Sequence, residues 1–321
     1  MNASNRGKDS VDQLRIHAPA KINLHLEILG LRADGFHELA MVMQSIDLAD
    51  QIEITSNTDG LIKLSIDDPN LSAGEDNLIF RAAELLRCSY GNKNLGANIY
   101  LQKNIPIGAG LAGGSTDAAA TLVGLNTLWK LDLDKQQLSN LAAELGSDIP
   151  FCLEGGTQLC FGRGEKLEPV KASASSSDMA IILVKDPTVS VSTPWAYGRS
   201  KEINEKNYLK SDLAFEDRRQ LLREQSWLSS FSPSDPPPLN NDLQKVVAPE
   251  VQVVQNALKA LSDLPGSIGV AMSGSGPSCF ALYSTYKQAK EVLARSRIKL
   301  ESLGFKSWCC SFQSEGVGFD Q

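Results

Sequence analysis

The stretch Ile105-Pro106-Ile107-Gly108-Ala109-Gly110-Leu111-Ala112-Gly113-Gly114-Ser115-Thr116-Asp117, running into Ala118-Ala119-Ala120, constrains this chain more than any other. It reads as a short apolar strand, a loop nearly emptied of side chains, and a helix opening on hydroxyls and an alanine run. Where no Cβ atoms intervene, backbone N–H groups close on a compact anion. The unpaired N–H groups and positive dipole end of the following helix point at the same spot. Ser115 and Thr116 add hydroxyl donors, or hold a cation against the anion. The segment reads as a phosphate cradle in a nucleotide-using protein.

Two other readings compete for it. The first is a tight strand-to-helix connection with no ligand. The second is a dinucleotide site, since Gly108, Gly110 and Gly113 fit G-x-G-x-x-G. That site needs a clean strand before the loop and an acidic residue closing the next strand. Here Pro106 removes a ladder donor just before the loop. Downstream, Asp132 and Asp134 lie in Lys130–Lys135, which reads as a helix-to-helix connection. A Walker loop is excluded, because no lysine follows Gly114.

At 321 residues the chain is long enough for one large domain or two ordinary ones. A net charge of −7 argues against general nucleic-acid binding, which wants a basic face. The six cysteines include no C-x-x-C pair, and the histidines at 17, 25 and 37 lie far from any cysteine pair, so a zinc site is not expected. Reduced thiols in a cytoplasmic protein fit better. No apolar run spans a membrane, and the polar stretch 1–13 reads as a disordered tail rather than a signal peptide.

Periodicity supplies the elements. Strands are expected over Leu14–Ile28 (broken at Ala18-Pro19-Ala20), Met41–Ile54, Ile62–Ile66 and Ala97–Lys103, with an Asp-Gly turn at Ala33–His37. Helices are expected from Asn77 to about Cys88, from the glycine loop to about Trp129, and over Lys135–Leu145. Ser147–Phe151 reads as a loop entering a strand, and Gly155-Gly156 as the start of a hairpin. Lys171–Asp178, rich in Ala and Ser, reads as a flexible connection, which divides the chain into units at 14–172 and 180–315. In the second unit, Lys201–Pro238 reads as a polar surface excursion, helical over Asp217–Trp227. A strand at Ala180–Val184, a helix from Asn240 to about Val254, a strand–turn–strand over Gly269–Tyr283, a helix over Lys287–Ser302 and a strand over Ser307–Phe312 complete it. Without a regular β-α-β-α period the class is α+β rather than doubly wound.

Three further segments carry chemistry. Lys21, in Pro19-Ala20-Lys21-Ile22-Asn23-Leu24, places an amine in an apolar strand, where it needs a partner or a job. Asp148 stands in Gly146-Ser147-Asp148-Ile149-Pro150. Met272-Ser273-Gly274-Ser275-Gly276-Pro277-Ser278 is a second side-chain-poor loop. Each alone has a plain alternative: a snorkelling lysine, a turn aspartate, a hairpin. Together, in this order, they resemble the three signature motifs of the GHMP small-molecule kinases. With the turn Arg32-Ala33-Asp34-Gly35-Phe36-His37, the chain is more narrowly similar to the branch acting on a cytidine-diphosphate-linked methylerythritol. The resemblance runs from about Leu14 to Phe312 and thins across 201–238.

The resemblance implies a two-domain architecture, with an N-terminal domain like the second domain of ribosomal protein S5 and a ferredoxin-like C-terminal domain. It implies ATP and Mg2+ as cofactors, a small-molecule acceptor phosphorylated on a tertiary hydroxyl, no nucleic-acid or membrane partner, and a monomer or homodimer. Asp148 is implied as the base and Lys21 as its catalytic partner. Pro106, Gly108, Ala109, Gly110, Leu111, Ala112, Gly113, Gly114, Ser115 and Thr116 would wrap ATP phosphates, with Ser115 nearest Mg2+. Asn77 and Lys103 would line the adenine pocket. Asn23 would orient the acceptor, and Ser273, Gly274, Ser275 and Gly276 would contact it. Phe36, where the family often has tyrosine, and Tyr197 would sandwich the cytosine, while His37 reads its edge. Thr116 replaces a frequent serine and keeps the hydroxyl. Another GHMP metabolite kinase, which would have no reason to carry the Asp34–His37 turn, and a silent nucleotide-binding protein, which would have lost Lys21 or Asp148, are the alternatives.

Overall fold

A computed structural model of the chain describes residues 13–170, 178–228 and 231–320. The expected tail therefore lies outside the described residues, apart from Gln13, which opens the first strand. Residues 171–177 of the expected Ala-Ser connection also lie outside them.

Strands β1 (Gln13–Leu31) and β2 (His37–Asn57) form a long antiparallel hairpin at the centre of the first sheet. The strand is not broken at Pro19 as its sequence suggested. Instead the ladder shifts register between Pro19 and Lys21 and again between Asn23 and His25. At the first shift the extra residues lie on β2, at 46–48, so Pro19 stands where the ladder is interrupted and a missing donor costs least.

The two bulges also reverse which side chains face which layer. Ile16, Ala18, Leu26 and Ile28 join the core beneath the N-terminal helices, whereas Ala20, Ile22 and Leu24 join the core on the opposite face. A one-residue slip flips side chains to the other face of a sheet. Lys21 and Asn23 are thereby turned towards the functional cavity.

The first sheet continues through β3 (Ile62–Ile66), β4 (Gly96–Gln102), β5 (Thr157–Gly162) and β6 (Lys166–Pro169). Four helices belong to this half: α1 (Leu78–Tyr90), α2 (Gly113–Leu128), α3 (Lys135–Leu145) and α4 (Ile149–Glu154). The α3 limits match the sequence reading, fixed by a capping box between Asp134 and Gln137. At α4 the reading differs. Ile149–Phe151 enter a short helix, not a strand, because Pro150 falls in the first turn, where its fixed φ suits a helix.

The second sheet has the order β11-β7-β10-β9 and is antiparallel throughout: β7 (Ala180–Lys185), β9 (Gly269–Met272), β10 (Cys279–Tyr283) and β11 (Lys306–Ser311). Before β9 come α5 (Thr193–Asn204), α6 (Asp212–Arg223), the short strand β8 (Asn240–Asn241), α7 (Asp242–Glu250) and α8 (Gln252–Ser262). Helix α9 (Tyr286–Ser302) links β10 to β11. Setting aside β8, this is β-α-β-β-α-β in ferredoxin-like order. Ile181, Leu183, Phe280 and Leu282 face the first sheet's Ile22, Leu24 and Val42 in one shared core. Strands β8 and β12 (Gly318–Phe319) both return to pair with β1.

Two more corrections fall here. The helix expected from Asn240 to Val254 is two helices, parted at Val251 just after Pro249. The described residues of the polar stretch 201–238 are folded, with α6 ending at Arg223 and Phe215, Leu222, Trp227 and Leu228 buried in the core between the two sheets. Charged residues at exposed positions of α6 hide a sparse apolar stripe.

Candidate active site

The site is a cavity of about 650 Å³ where the bulged stretch of β1, the glycine loop before α2, the start of α4 and the second glycine turn converge. Lys21 is buried. Its Nζ donates to Asn23 Oδ1 at 2.7 Å and lies 3.5 Å from both Asp148 Oδ2 and the Gly110 carbonyl. Asp148, at the N-terminal edge of α4, makes no capping bond, so its carboxylate is free to face the cavity. Asn23 is buried beside Met41.

The loop residues Pro106, Gly108, Ala109, Gly110, Leu111, Ala112, Gly113, Gly114 and Ser115 all line this cavity. Gly108, Gly110 and Ala112 take positive φ, and for Ala112 that is a strained left-handed conformation held at the helix cap. Thr116 lies beneath the surface rather than on it, with its hydroxyl lacking a protein partner.

The second glycine turn braces the first. Ser273 Oγ donates to the Gly110 carbonyl at 2.9 Å, and a Cβ on Gly110 would stand 2.2 Å from the Ser273 carbonyl oxygen. Gly274 and Ser275 reach the cavity, while Ser273 is buried against the first loop. A Cβ on Gly276 would meet Met272, and Gly276 is not among the cavity-lining residues. Asn241 caps α7 with its oxygen and gives its amide to the Met272 and Gly274 carbonyls, fixing the turn.

Asn77 and Lys103 line the far end of the cavity, but both have structural commitments. Asn77 caps α1 and donates to the Ser72 carbonyl. Lys103 is held between the carboxylates of Asp50 and Asp117. Burial alone would lower its pKa, but those two charges outweigh burial and hold it above the usual lysine value. Burial, with Asp50 alongside, pushes the Asp117 carboxyl upward. No local signal marked this triad, because Asp50 is far away in the chain.

Beside the cavity, His37 stacks on Tyr197 with ring centroids 5.1 Å apart, and Tyr208 meets its edge at 5.8 Å. His37 Nε2 is buried without a protein partner. Burial and the nearby Lys201 charge lower its pKa from the ordinary imidazole value, which disfavours the charged ring. Phe36 is 54 % exposed, with the Arg163 guanidinium 5.0 Å from its ring centroid. Thus Tyr197 lines the cavity directly, whereas Phe36 and His37 are not among its lining residues: His37 stacks on Tyr197, and Phe36 lies against the cavity-lining Arg163. Sequence reasoning missed Arg163, which lines the cavity from the β5–β6 turn; a single arginine in a turn carries no local pattern.

Family models for the GHMP kinases match the chain at residues 77–156 (N-terminal domain) and 222–301 (C-terminal). The protein is a small-molecule kinase of this class, which takes its phosphoryl group from ATP. The 4-diphosphocytidyl-2-C-methyl-D-erythritol kinase of Prochlorococcus marinus (strain MIT 9303) is 61 % identical over 317 residues, with 99 % of each chain covered. The enzyme of the same name from Synechococcus sp. (strain CC9902) is 59 % identical over 304 residues, covering 95 % of this chain and 98 % of its own. The chain belongs to the GHMP kinases, in the family of the 4-diphosphocytidyl-2-C-methyl-D-erythritol kinases. A crystal structure of 4-(cytidine 5'-diphospho)-2C-methyl-D-erythritol kinase superposes with TM-score 0.69 at 29 % identity, covering 93 % of this chain and 99 % of that one. Homoserine kinase from Cytophaga hutchinsonii shares the fold, with TM-score 0.68 at 17 % identity over 98 % and 99 % of the two chains. No helix among the described residues is long and apolar enough to cross a membrane.

Proposed function

We propose that this kinase transfers the γ-phosphoryl group of ATP to the tertiary 2-hydroxyl of 4-diphosphocytidyl-2-C-methyl-D-erythritol, in non-mevalonate isoprenoid precursor synthesis. The observation that carries the reading is the 3.5 Å Lys21–Asp148 contact on the same cavity as the glycine loop. Phosphoryl transfer depends mostly on positioning and charge stabilisation. Asp148 accepts the proton of the acceptor hydroxyl, for which hydrogen-bond reach is the main requirement. Lys21, 3.5 Å from that carboxylate, stabilises charge on the group in flight. Asn23 orients both through its hydrogen bond to Lys21.

The glycine loop and the N-terminus of α2 receive the nucleotide phosphates. The residues also fit Mg2+: the Ser115 side chain lies on the cavity wall, and Thr116 Oγ1 and Asp117 Oδ1 just behind it have no protein partner. Such a site holds the ion largely through the nucleotide's own phosphates. Ser115 would be its protein contact, and the ion would neutralise charge on the transferred group.

At the other end, Phe36, His37 and Tyr197 would receive the cytosine, with the unpartnered His37 Nε2 reading its edge. The test is to incubate the protein with ATP, Mg2+ and this acceptor and locate the new phosphate by phosphorus NMR. ADP should form in step with an acceptor phosphorylated at its 2-hydroxyl. ADP formation that does not depend on the acceptor would overturn the reading.

A further inference from the structure

The folded segment over 201–238 has a place in this site. Glu38, the second residue of β2, follows Phe36 and His37 directly and is only 3 % exposed. Its carboxylate gathers three donors: Arg32 Nη1 at 2.8 Å, the Gly162 N–H at 3.1 Å, and Arg219 of α6. Arg32 also pairs with Asp34, which accepts the Phe36 N–H at 3.1 Å, while the Arg32 N–H donates to the Phe36 carbonyl at 2.8 Å. The side-chain hydrogen bonds of the Arg32–His37 turn thus lead back to Glu38 or to the turn itself.

Helix α6 grips the neighbouring hairpin as well. Arg223 forms a two-pronged pair with Glu168 on β6, at 2.8 Å for each bond. Arg223 and Arg219 both lie over the Phe161 ring, on the hairpin whose turn holds Arg163 against Phe36. Just before the helix, the Leu209 N–H donates to the Leu29 carbonyl. Gly30 allows this approach, since a Cβ there would stand 2.7 Å from the Leu209 carbonyl oxygen.

We propose that α6 is a clamp on the acceptor-recognition turn, with Arg219 a positioning residue that acts through Glu38 and never touches substrate. The clamp fixes the relative placement of Phe36, His37 and Arg163 by tying both hairpins to one helix. Among the described residues, the hydrogen bonds of this network involve no residue of the glycine loop. This inference rests on the reading that the Phe36–His37 turn receives the acceptor's cytosine.

The experiment is steady-state kinetics on Arg219→Gln, Arg219→Lys, Gln220→Ala and His37→Ala. Losing one charge-assisted hydrogen bond should raise the acceptor KM of Arg219→Gln about tenfold. Its KM for ATP and its kcat at saturation should stay within about twofold of the parent. Arg219→Lys keeps a cation and should recover part of the loss. Gln220→Ala, on the exposed side of the same helix, should be unchanged. His37→Ala tests the underlying reading separately: an unchanged acceptor KM there removes the cytosine site, and the clamp with it. A raised acceptor KM in His37→Ala with none in Arg219→Gln would overturn the clamp alone. So would equal losses in both KM values and kcat, or a rise of the same size in Gln220→Ala. If Arg219→Gln does not fold, Arg219→Lys decides, and an unchanged acceptor KM in it overturns the proposal.

Discussion

The base role proposed for Asp148 rests on geometry that its neighbours impose. Its carboxylate takes no capping bond and stands 3.5 Å from a buried lysine that is itself fixed by Asn23. Asp148→Asn keeps the shape and loses the base, so kcat should fall about 10²–10⁴-fold. ATP and acceptor affinities, measured by calorimetry, should change little; a variant with near-parental kcat would move the base elsewhere. His37 gives a second prediction at this scale. Its folded pKa is lowered by burial and by Lys201, so the neutral ring contributes stability that is present above 6.5. That contribution is lost as pH falls through the lowered pKa. Denaturant midpoints followed from neutral pH downward should therefore fall more steeply for the parent than for His37→Gln, which has nothing to protonate. Parallel curves would mean that the imidazole charges freely in the folded state.

At the scale of elements, the two glycine turns behave as one unit. The sequence suggested that a side chain on Gly110 would occupy phosphate space, but the first atom it meets is the Ser273 carbonyl. Gly110→Val should therefore part the two turns as well as strain a φ of +74°. ATP affinity should be lost, with hydrogen exchange rising in both 105–113 and 272–278; protection unchanged in the second turn would separate the loops. Trp227 tests the folded segment. It is fully buried, its Nε1 donates to the Leu222 carbonyl, and its ring meets His25 edge-on. Trp227→Ala should cost about 3–5 kcal/mol in denaturant unfolding, where a loose surface excursion would lose almost nothing.

These elements also show what the sequence could and could not reveal. Helix α3 was legible to the residue, because the capping box at Asp134 and Gly146 at its end are local signals. Both glycine turns, Lys21 and Asp148 were legible because their residue types are rare in such settings. The α4 helix was not, since six mostly apolar residues carry no decisive period. Nor were the Asp50–Lys103–Asp117 triad, Arg163 or the Glu38–Arg219 pair. Each joins residues distant in sequence, and only the fold brings them together. The bulges in β1 were hidden for the same reason: a face reversal shows in the pairing register, not in the residues.

Across the whole molecule, two sheets share a core, and the cavity opens where the glycine turn of each half meets the other. In the proposed function, that placement would let one half receive nucleotide phosphates while turns from both halves shape the acceptor end. In that proposal, selectivity falls to an aromatic rim: Tyr197 lines the cavity, His37 stacks on it with an unmet imidazole nitrogen, and Phe36 precedes His37 in the turn. The central claim is that this rim reads cytosine. Stacking alone does not distinguish pyrimidines, but a site built to hydrogen-bond one base edge leaves polar groups unpaired against another. The most direct measurement is kcat/KM for the cytidine-diphosphate-linked methylerythritol against its uridine counterpart, at saturating ATP. The account predicts a preference of about a hundredfold for cytidine. Equal use of the two acceptors would contradict it.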